Sequence, residues 1–219
     1  PVAKVRESEK KLVDLCTKYD VNLIAIGNGT ASRESEAFVA NTIKKYHLPV
    51  SYTIVSEAGA SVYSASKLAI EEFPDLHVEQ RSAISIARRL LDPLSELIKI
   101  DPQSIGVGQY QHDLPTTQLK ERLNFVVEKA VNLVGVNINT ASPTLLKNVS
   151  GLTQATANSI VAYREENGKI MSRNEMKKIP KIGPKAYQQA AGFLRIEECS
   201  EPLDRTNIHP ESYDATKAI

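Results

Sequence analysis

The sequence predicts a mainly α-helical protein with a small α/β part at its N-terminal end. Three observations carry that reading. Residues 1–92 alternate helical and strand periodicities in the order helix, strand, helix, strand, helix, helix. A long amphipathic run follows from about Thr117. Beyond it, VSGLTQATANSIVAY and IPKIGPKAYQQAAGF are two copies of one phrase, with Val149 and Ile179 thirty positions apart.

Taken in order, Val5, Leu12, Cys16 and Tyr19 are spaced for one face of a first helix that should end near Asp20. Asn22 to Ile26 (NLIAI) is a short buried strand closed by Gly27-Asn28-Gly29. Phe38, Thr42 and Tyr46 mark a second helix after Ser32, and Ser51 to Val55 alternates like a second strand. A third helix carries Val62, Tyr63, Ser66, Ala69, Ile70 and Phe73 and stops at Pro74. A fourth carries Ala83, Ile84, Ala87, Leu90 and Leu91 and stops at Asp92-Pro93, because proline lacks the N–H a helix needs. Leu94 to Leu114 is irregular, with helical turns around Pro93 and Pro102 and the glycine-rich IGVGQYQHD. The long helix then sets Leu119, Leu123, Val126, Val127, Ala130, Val131 and Val134 on one face and is expected to pack beneath the repeat. Ser142 with Pro143 opens the first short helix of the repeat, and Ser172 with Glu175 has the spacing of a capping box. After Cys199 the chain is polar, carries Pro202 and Pro210, and reads as a linker toward a further domain. The start at PVAKVRESEK, without Met and already in a helical pattern, reads as a piece of a longer protein.

Each repeat copy reads as the end of one helix, a tight glycine-containing turn and the start of another. Gly151 and Gly183 are expected to adopt backbone conformations closed to other residues and to present no side chain to an approaching ligand. The first turn of each following helix leaves amides unpaired, with the positive end of the helix dipole behind them, which attracts phosphate. Pro184 suits the first helical position, and Lys185 adds a mobile charge. Thr153 stands at the place equivalent to Gly183, and Lys181 at the place equivalent to Gly151. The candidate binding residues are therefore Gly151, Thr153, Gln154, Lys181, Gly183 and Lys185, flanked by Lys177 and Lys178, with Arg164 and Lys169 secondary. Phosphate contacts position a nucleic acid without reading its sequence, so binding should be nonspecific and salt-sensitive. Helix pairs of this kind also serve as protein interfaces, and a docking scaffold is the alternative reading.

The 219 residues, 42% of them hydrophobic, suffice for one large or two small packed domains. Net charge is only +1, but residues 136–198 hold nine Lys or Arg against five Asp or Glu, so the repeat is the basic part. Cys16 and Cys199 lie far apart and outside metal-ligand spacing, as expected of two reduced thiols. No apolar run approaches the roughly 20 residues that span a bilayer, and no signal-peptide pattern is present. Gly27-Asn28-Gly29-Thr30 lacks the Lys and the length of a Walker loop and reads as a strand-to-helix turn. His112, beside Asp113, has no nucleophile or second His nearby and reads as structural; His47, His77 and His209 are equally isolated. Arg88 and Arg89 read as a solvated basic face. No catalytic residue, metal or cofactor is predicted.

The run VNINTASPTLL, then VSGLTQATANSIVAYREENGKIMSRNEM, then KIPKIGPKAYQQAAGFL, resembles the tandem helix-hairpin-helix domain of ComEA-like DNA receptors and, more closely, that of bacterial Tex proteins. SEAGASVYSAS (56–66), IGVGQYQHDL (105–114) and PLDRTNIHPESY (202–213) are Tex-like as well, so the resemblance covers nearly the whole chain. It implies that residues 1–92 are the C-terminal part of a YqgF domain of RNase H-like fold, with its first three strands upstream of Pro1. Residues 93–115 are then an irregular helical connector, 116–198 the tandem hairpins, and 199–219 a polar linker toward an OB-fold RNA-binding domain. Two strands alone are marginal, so helices must cover them or another chain, a second copy included, must complete them. The resemblance further implies a cytoplasmic, non-enzymatic protein of transcription that binds the RNA or DNA backbone, with RNA polymerase or other transcription proteins as further partners and no membrane. An RNase H-class nuclease needs clustered carboxylates for its metal ions. By resemblance Glu57 takes one such place, another lies upstream, and the third is held by Arg81 with Glu79 close by. Arginine there repels metal, so a metal-dependent nuclease is the third reading.

Overall fold

The computed structural model describes residues 2–105, 111 and 113–219. His112 and the stretch 106–110 of the expected glycine-rich loop lie outside the described residues. The chain is mainly α with a small α/β part and forms two compact units, Pro1–Glu96 and Leu97–Ile219.

The first unit runs α1 (Val2–Lys18), β1 (Leu23–Gly27), α2 (Ser32–Tyr46), β2 (Ser51–Val55), α3 (Ala60–Ser64), α4 (Lys67–Glu72), α5 (Val78–Arg88) and the start of α6 (Pro93–Leu97). β1 and β2 pair in parallel, from Leu23 opposite Ser51 to Gly27 opposite Val55, with α2 as the crossover that a parallel pair requires. Ile26, Val39, Val55, Ala60, Tyr63 and Ala69 form the buried core.

Two expectations are corrected here. The single third helix is two helices, because Ser66 takes an extended backbone and its hydroxyl accepts from the Ala69 amide at 3.2 Å, which starts α4 afresh. The apolar face assigned to the fourth helix is also not its buried face. Leu90 and Leu91 are exposed, whereas Ser85 and Arg89 are buried and Arg81 is half-buried beside them, a polar stripe at four-residue spacing. Each residue of the stripe makes at least one hydrogen bond inside, although Nε and Nη2 of Arg89 have none among the described residues. Arg81 donates to the carbonyls of Ser64 (2.8 Å) and Leu76 (2.7 Å), Arg89 to that of Ser56 (2.6 Å), and the Ser85 hydroxyl to the buried Glu96 carboxylate (3.1 Å). Arg89 is therefore no solvated surface charge.

The second unit holds a 3-10 turn (Pro102–Ser104), α7 (Thr116–Val134), β3 (Val136–Asn137), α8 (Pro143–Leu146), α9 (Gln154–Asn167), a 3-10 helix (Arg173–Lys178), α10 (Pro184–Ala190), β4 (Leu194–Arg195) and α11 (Tyr213–Lys217). Val136, Ile138, Leu146, Val149, Ile160, Ile170, Met176, Leu194 and Ile196 are each at most 1% exposed and make the core of the repeat. β3 and β4 pair in parallel and tie the two ends of the repeat together.

The apolar face expected of α7 turns inward only in part: Val131 is buried and Leu119, Leu123 and Val127 are half-buried, whereas Val126, Ala130 and Val134 are exposed, as are Phe125 and Leu133 outside that face. The helix is anchored by a polar residue: the Asn132 side chain donates to the Asn148 carbonyl (3.3 Å) and accepts from the Ser150 amide (3.0 Å). The segment after Cys199, expected as a linker, packs onto the repeat through Arg173, which is 1% exposed. The Arg173 guanidinium donates to the carbonyls of Leu194 (2.8 Å), Thr206 (2.5 Å) and Ile208 (2.6 Å) and to the Tyr213 hydroxyl (2.6 Å). Asp204 completes the cluster, accepting from the Arg173 amide (2.9 Å) and from the Tyr213 hydroxyl (2.6 Å). All three guanidinium nitrogens of Arg173 thus find acceptors, most of them in the polar tail, which offsets the cost of burying the charge.

Candidate functional site

The two repeat turns close in the same way. In the first, the Leu152 amide donates to the Val149 carbonyl (3.0 Å); in the second, the Ile182 amide donates to the Ile179 carbonyl (3.2 Å). Val149, Leu152, Ile179 and Ile182 are all buried, so each turn is pinned to the core by its first and last residues; the middle of the second turn is exposed and that of the first half-buried. The third residue of each turn has positive φ, 82° at Gly151 and 68° at Lys181, and Pro180 stands second, as in a type II turn.

This corrects the reading of Gly183. Its φ is −81° with ψ 172°, an extended conformation open to any residue, and a Cβ there would meet nothing within 4 Å. The left-handed place in the second copy is held by Lys181, a residue that carries a steric cost there. Gly151 is needed on two counts. Its φ is positive, and a Cβ would come within 2.6 Å of the Gln189 Cβ and 3.1 Å of the Ala186 carbonyl, so the first turn packs closely on α10.

The helix starts beyond the turns differ in what their amides do. Thr153 caps α9: its hydroxyl accepts from the Thr156 amide at 3.3 Å, and the Thr156 hydroxyl accepts from the Thr153 amide at 2.7 Å. Gln154 is held by its side-chain amide, which donates to Oδ1 of Asn158 (3.0 Å). α10 has Gly183 at the cap position and no side-chain cap, with Pro184 first in the helix. The Lys185 and Ala186 amides therefore make no protein hydrogen bond among the described residues.

The basic residues of the repeat divide in the same sense. Arg164 donates to the Ile138 carbonyl (2.7 Å), and burial pulls its guanidinium below its ordinary pKa. Lys169 pairs with Glu198 at 2.6 Å, and Arg195 donates to the Gly192 carbonyl at 2.7 Å. Lys178, Lys181 and Lys185 are exposed and make no ion pair among the described residues, and Lys177 lies 4.7 Å from the centre of the Tyr187 ring. The second turn thus gathers exposed lysines beside uncapped amides.

Residues 1–91 match the family described as the Tex protein YqgF-like domain, and residues 131–195 match the helix-hairpin-helix motif. Over 219 residues the chain is 58% identical to protein YdcI of Bacillus subtilis, covering 100% of this chain and 30% of that protein. It is 56% identical over 202 residues to the transcriptional accessory protein Tex of Neisseria gonorrhoeae, covering 91% of this chain and 26% of that one. This chain belongs to the Tex family. A human relative, S1 RNA-binding domain-containing protein 1, is 42% identical over 260 residues, covering 95% of the chain and 26% of its own length. The chain spans less than a third of the length of these relatives.

Within the YqgF-like unit, Glu57 lies two residues beyond the end of β2, with its carboxylate against the Gly27–Gly29 turn, so that a Cβ on Gly29 would collide with it. Arg81 is turned to backbone carbonyls. The cation whose field reaches Glu57 is Arg89, whose pKa burial lowers and the Glu96 and Glu57 charges raise. Sequence reasoning missed Arg89 because its neighbours in α5 set it on the face opposite the apolar pattern. Among the described residues no three His, Cys, Asp or Glu side chains group as a metal site, and no helix is long and apolar enough to cross a membrane.

Proposed function

We propose that the chain is the part of a Tex-type transcription accessory protein that grips a nucleic-acid backbone, RNA or DNA, through its paired hairpins without reading sequence. The observation that carries this is the second turn, where Lys181 and Lys185 stand exposed and without ion pairs next to the uncapped Lys185 and Ala186 amides. Phosphate is the ligand such a turn suits, since it accepts from amides and lysines together. Gly183 serves by leaving the approach open. Gly151, Thr153 and Gln154 form the weaker first contact, because Thr153 already satisfies one amide that a phosphate would take. The names of the Neisseria and human relatives, a transcriptional accessory protein and an S1 RNA-binding domain-containing protein, support this reading, as does the helix-hairpin-helix match. A binding protein of this kind acts in the cytoplasm with no enzymatic step, and transcription proteins, RNA polymerase among them, are its further partners.

A second reading, docking onto a protein, is favoured by the exposed Phe125, Leu133 and Val134 of α7. Fluorescence anisotropy with labelled single- and double-stranded RNA and DNA across a salt series separates the two. We expect salt-sensitive binding, with Lys181→Glu/Lys185→Glu lowering the salt slope by roughly 1.4–1.8. Salt-insensitive or sequence-selective binding, or binding unchanged in the double variant, rejects the phosphate grip.

A further inference from the structure

A groove of about 510 Å³ lies between α7 and the end of the repeat and shares no residue with the second turn. Along α7 it is lined by Phe125, Glu128, Lys129, Asn132 and Leu133, a stripe at helical spacing that runs roughly 12 Å from end to end. Phe193 and Arg195, at the end of the second hairpin, line it as well. The α7 wall is held in place by polar bonds. Asn132 reaches the Asn148 carbonyl and the Ser150 amide, and the Glu128 carboxylate accepts from the Ser150 hydroxyl at 3.2 Å. Phe125 and Leu133 are thereby fixed outward, 59% and 83% exposed. Large apolar side chains held together in solvent on a rigid helix suit a binding face.

Charge identifies the occupant. Arg195 donates through Nη1 to the Gly192 carbonyl at 2.7 Å. Its Nε and Nη2, the fork that takes a carboxylate side-on, make no hydrogen bond among the described residues. They lie over Gly135, where a Cβ would come within 2.9 Å of both, so glycine keeps the fork in its place. Burial first, and the Arg173 charge second, pull the Arg195 guanidinium below its ordinary pKa, with Tyr213 opposing. The carboxylate of this cluster, Asp204, is already engaged by the Arg173 amide and the Tyr213 hydroxyl. Two guanidiniums therefore stand against one carboxylate, and Lys129 adds an exposed charge without an ion pair among the described residues.

We infer that this groove docks an acidic segment of a partner protein, which sets a carboxylate on the Nε and Nη2 fork of Arg195 and a large apolar side chain against Phe125, Leu133 and Phe193. The inference deepens the protein-docking reading above and is independent of the phosphate grip. An arginine beside aromatic anchors is the composition in which binding energy concentrates at protein interfaces. A nucleic-acid backbone suits the groove less, because Glu128 on the α7 wall repels a continuous run of phosphates. A second copy suits it less as well, since a two-fold pairing of this face would bring another Arg195 to the same surface instead of the missing carboxylate.

The test is selection of a random-peptide display library on the 219-residue chain, followed by fluorescence anisotropy of the enriched peptides. We expect the enriched sequences to combine Asp or Glu with Leu, Phe or Trp. Leu133→Ser and Arg195→Gln should each weaken their binding about tenfold, and Lys181→Glu/Lys185→Glu should leave it unchanged. Replacing the peptide's acidic residue by its amide should cost as much as Arg195→Gln, and the two changes together little more than either alone. The amide peptide keeps the test valid if the Arg195 variant folds poorly. Enriched peptides that are basic or uncharged, or that bind Leu133→Ser as well as the parent chain, overturn the inference while a docking role elsewhere survives. Self-association in sedimentation velocity that Leu133→Ser removes overturns it in favour of a second copy. Displacement of the peptides by an oligonucleotide from the Lys181→Glu/Lys185→Glu chain overturns it in favour of nucleic acid. If no peptide is enriched on the folded chain, the docking reading falls with it and the phosphate grip is untouched.

Discussion

Gly151 and Lys181 occupy the same place in two copies of one turn, and the backbone asks the same of both. A residue with a Cβ at positive φ carries a steric cost of about 1–2 kcal/mol, which Lys181 bears and Gly151 avoids. Lysine is kept in the copy whose flanking side chains are also basic, Lys177, Lys178 and Lys185, which is where a charge is useful rather than where the turn is easiest. Lys181→Gly should therefore raise stability by roughly 0.5 kcal/mol, the relieved strain less the extra freedom glycine brings to the unfolded chain. The same variant should weaken nucleic-acid binding by about one phosphate contact. Urea unfolding together with a salt titration would see the two quantities move in opposite directions, and a drop in stability would contradict the strain. Gly151→Ala should do the reverse, losing about 2–3 kcal/mol because its Cβ meets the Gln189 side chain at 2.6 Å as well as the left-handed backbone.

At the scale of helices, the hairpins differ in their caps. α9 begins with a reciprocal Thr153–Thr156 cap, so its third amide is already engaged, whereas α10 begins without one. Thr153→Ala should cost about 1 kcal/mol, and Thr153→Gly only a few tenths, since glycine is itself a tolerated cap. Thr153→Gly also frees the amide for a phosphate, so it should tighten binding; isothermal titration with a single-stranded oligonucleotide reads this, and weaker binding would mean that Thr153 itself contacts the ligand. Much at this scale was legible because it is set by neighbours in sequence: both strands of the first unit, the Ser142-Pro143 start, and the Ser172 hydroxyl accepting from the Glu175 amide at 3.2 Å. The reciprocal half of that expected box is absent, because the Glu175 carboxylate turns to the Met171 amide and the Tyr163 hydroxyl. What was not legible depends on partners far along the chain. Periodicity places an apolar face but cannot see that Arg89 finds a carbonyl 33 residues away, that Asn132 reaches Asn148 and Ser150, or that Arg173 finds Tyr213 40 residues on. The repeat located the candidate turns; which amides stay uncapped became visible only in three dimensions.

Across the whole molecule, each unit sets a partly or fully buried tyrosine hydroxyl on a carboxylate. Tyr63, 1% exposed, donates to Glu72 at 2.5 Å in the first unit, and Tyr213 donates to Asp204 at 2.6 Å in the second. Burial raises the pKa of both phenols above the ordinary value of 10.0, and the carboxylate partner raises it further; for Tyr213 the Arg173 guanidinium opposes this in part. Below pH 10 the folded and unfolded chains both keep these protons, and the contribution to stability is whole. As the pH climbs through 10 the unfolded tyrosines ionise while the folded ones do not, so stability drains away toward the raised folded values. Ionised Tyr213 would also set a second negative charge against Asp204 and withdraw the proton that joins them. Since the tail is held by Arg173, Asp204 and Tyr213 together, alkali should loosen residues 200–217 from the repeat, His209 and its hydrogen bond to the Gln188 carbonyl included. The expected outcome is a fall in the urea midpoint of both units above pH 10, with part of the tyrosine absorbance change at 295 nm appearing only as the chain unfolds. Tyr213→Phe should lower the stability of the second unit by about 1–3 kcal/mol at neutral pH, because Asp204 and Arg173 each lose a buried partner, and should flatten that unit's alkaline loss. An alkaline profile unchanged by Tyr213→Phe would place the pH sensitivity elsewhere in the molecule.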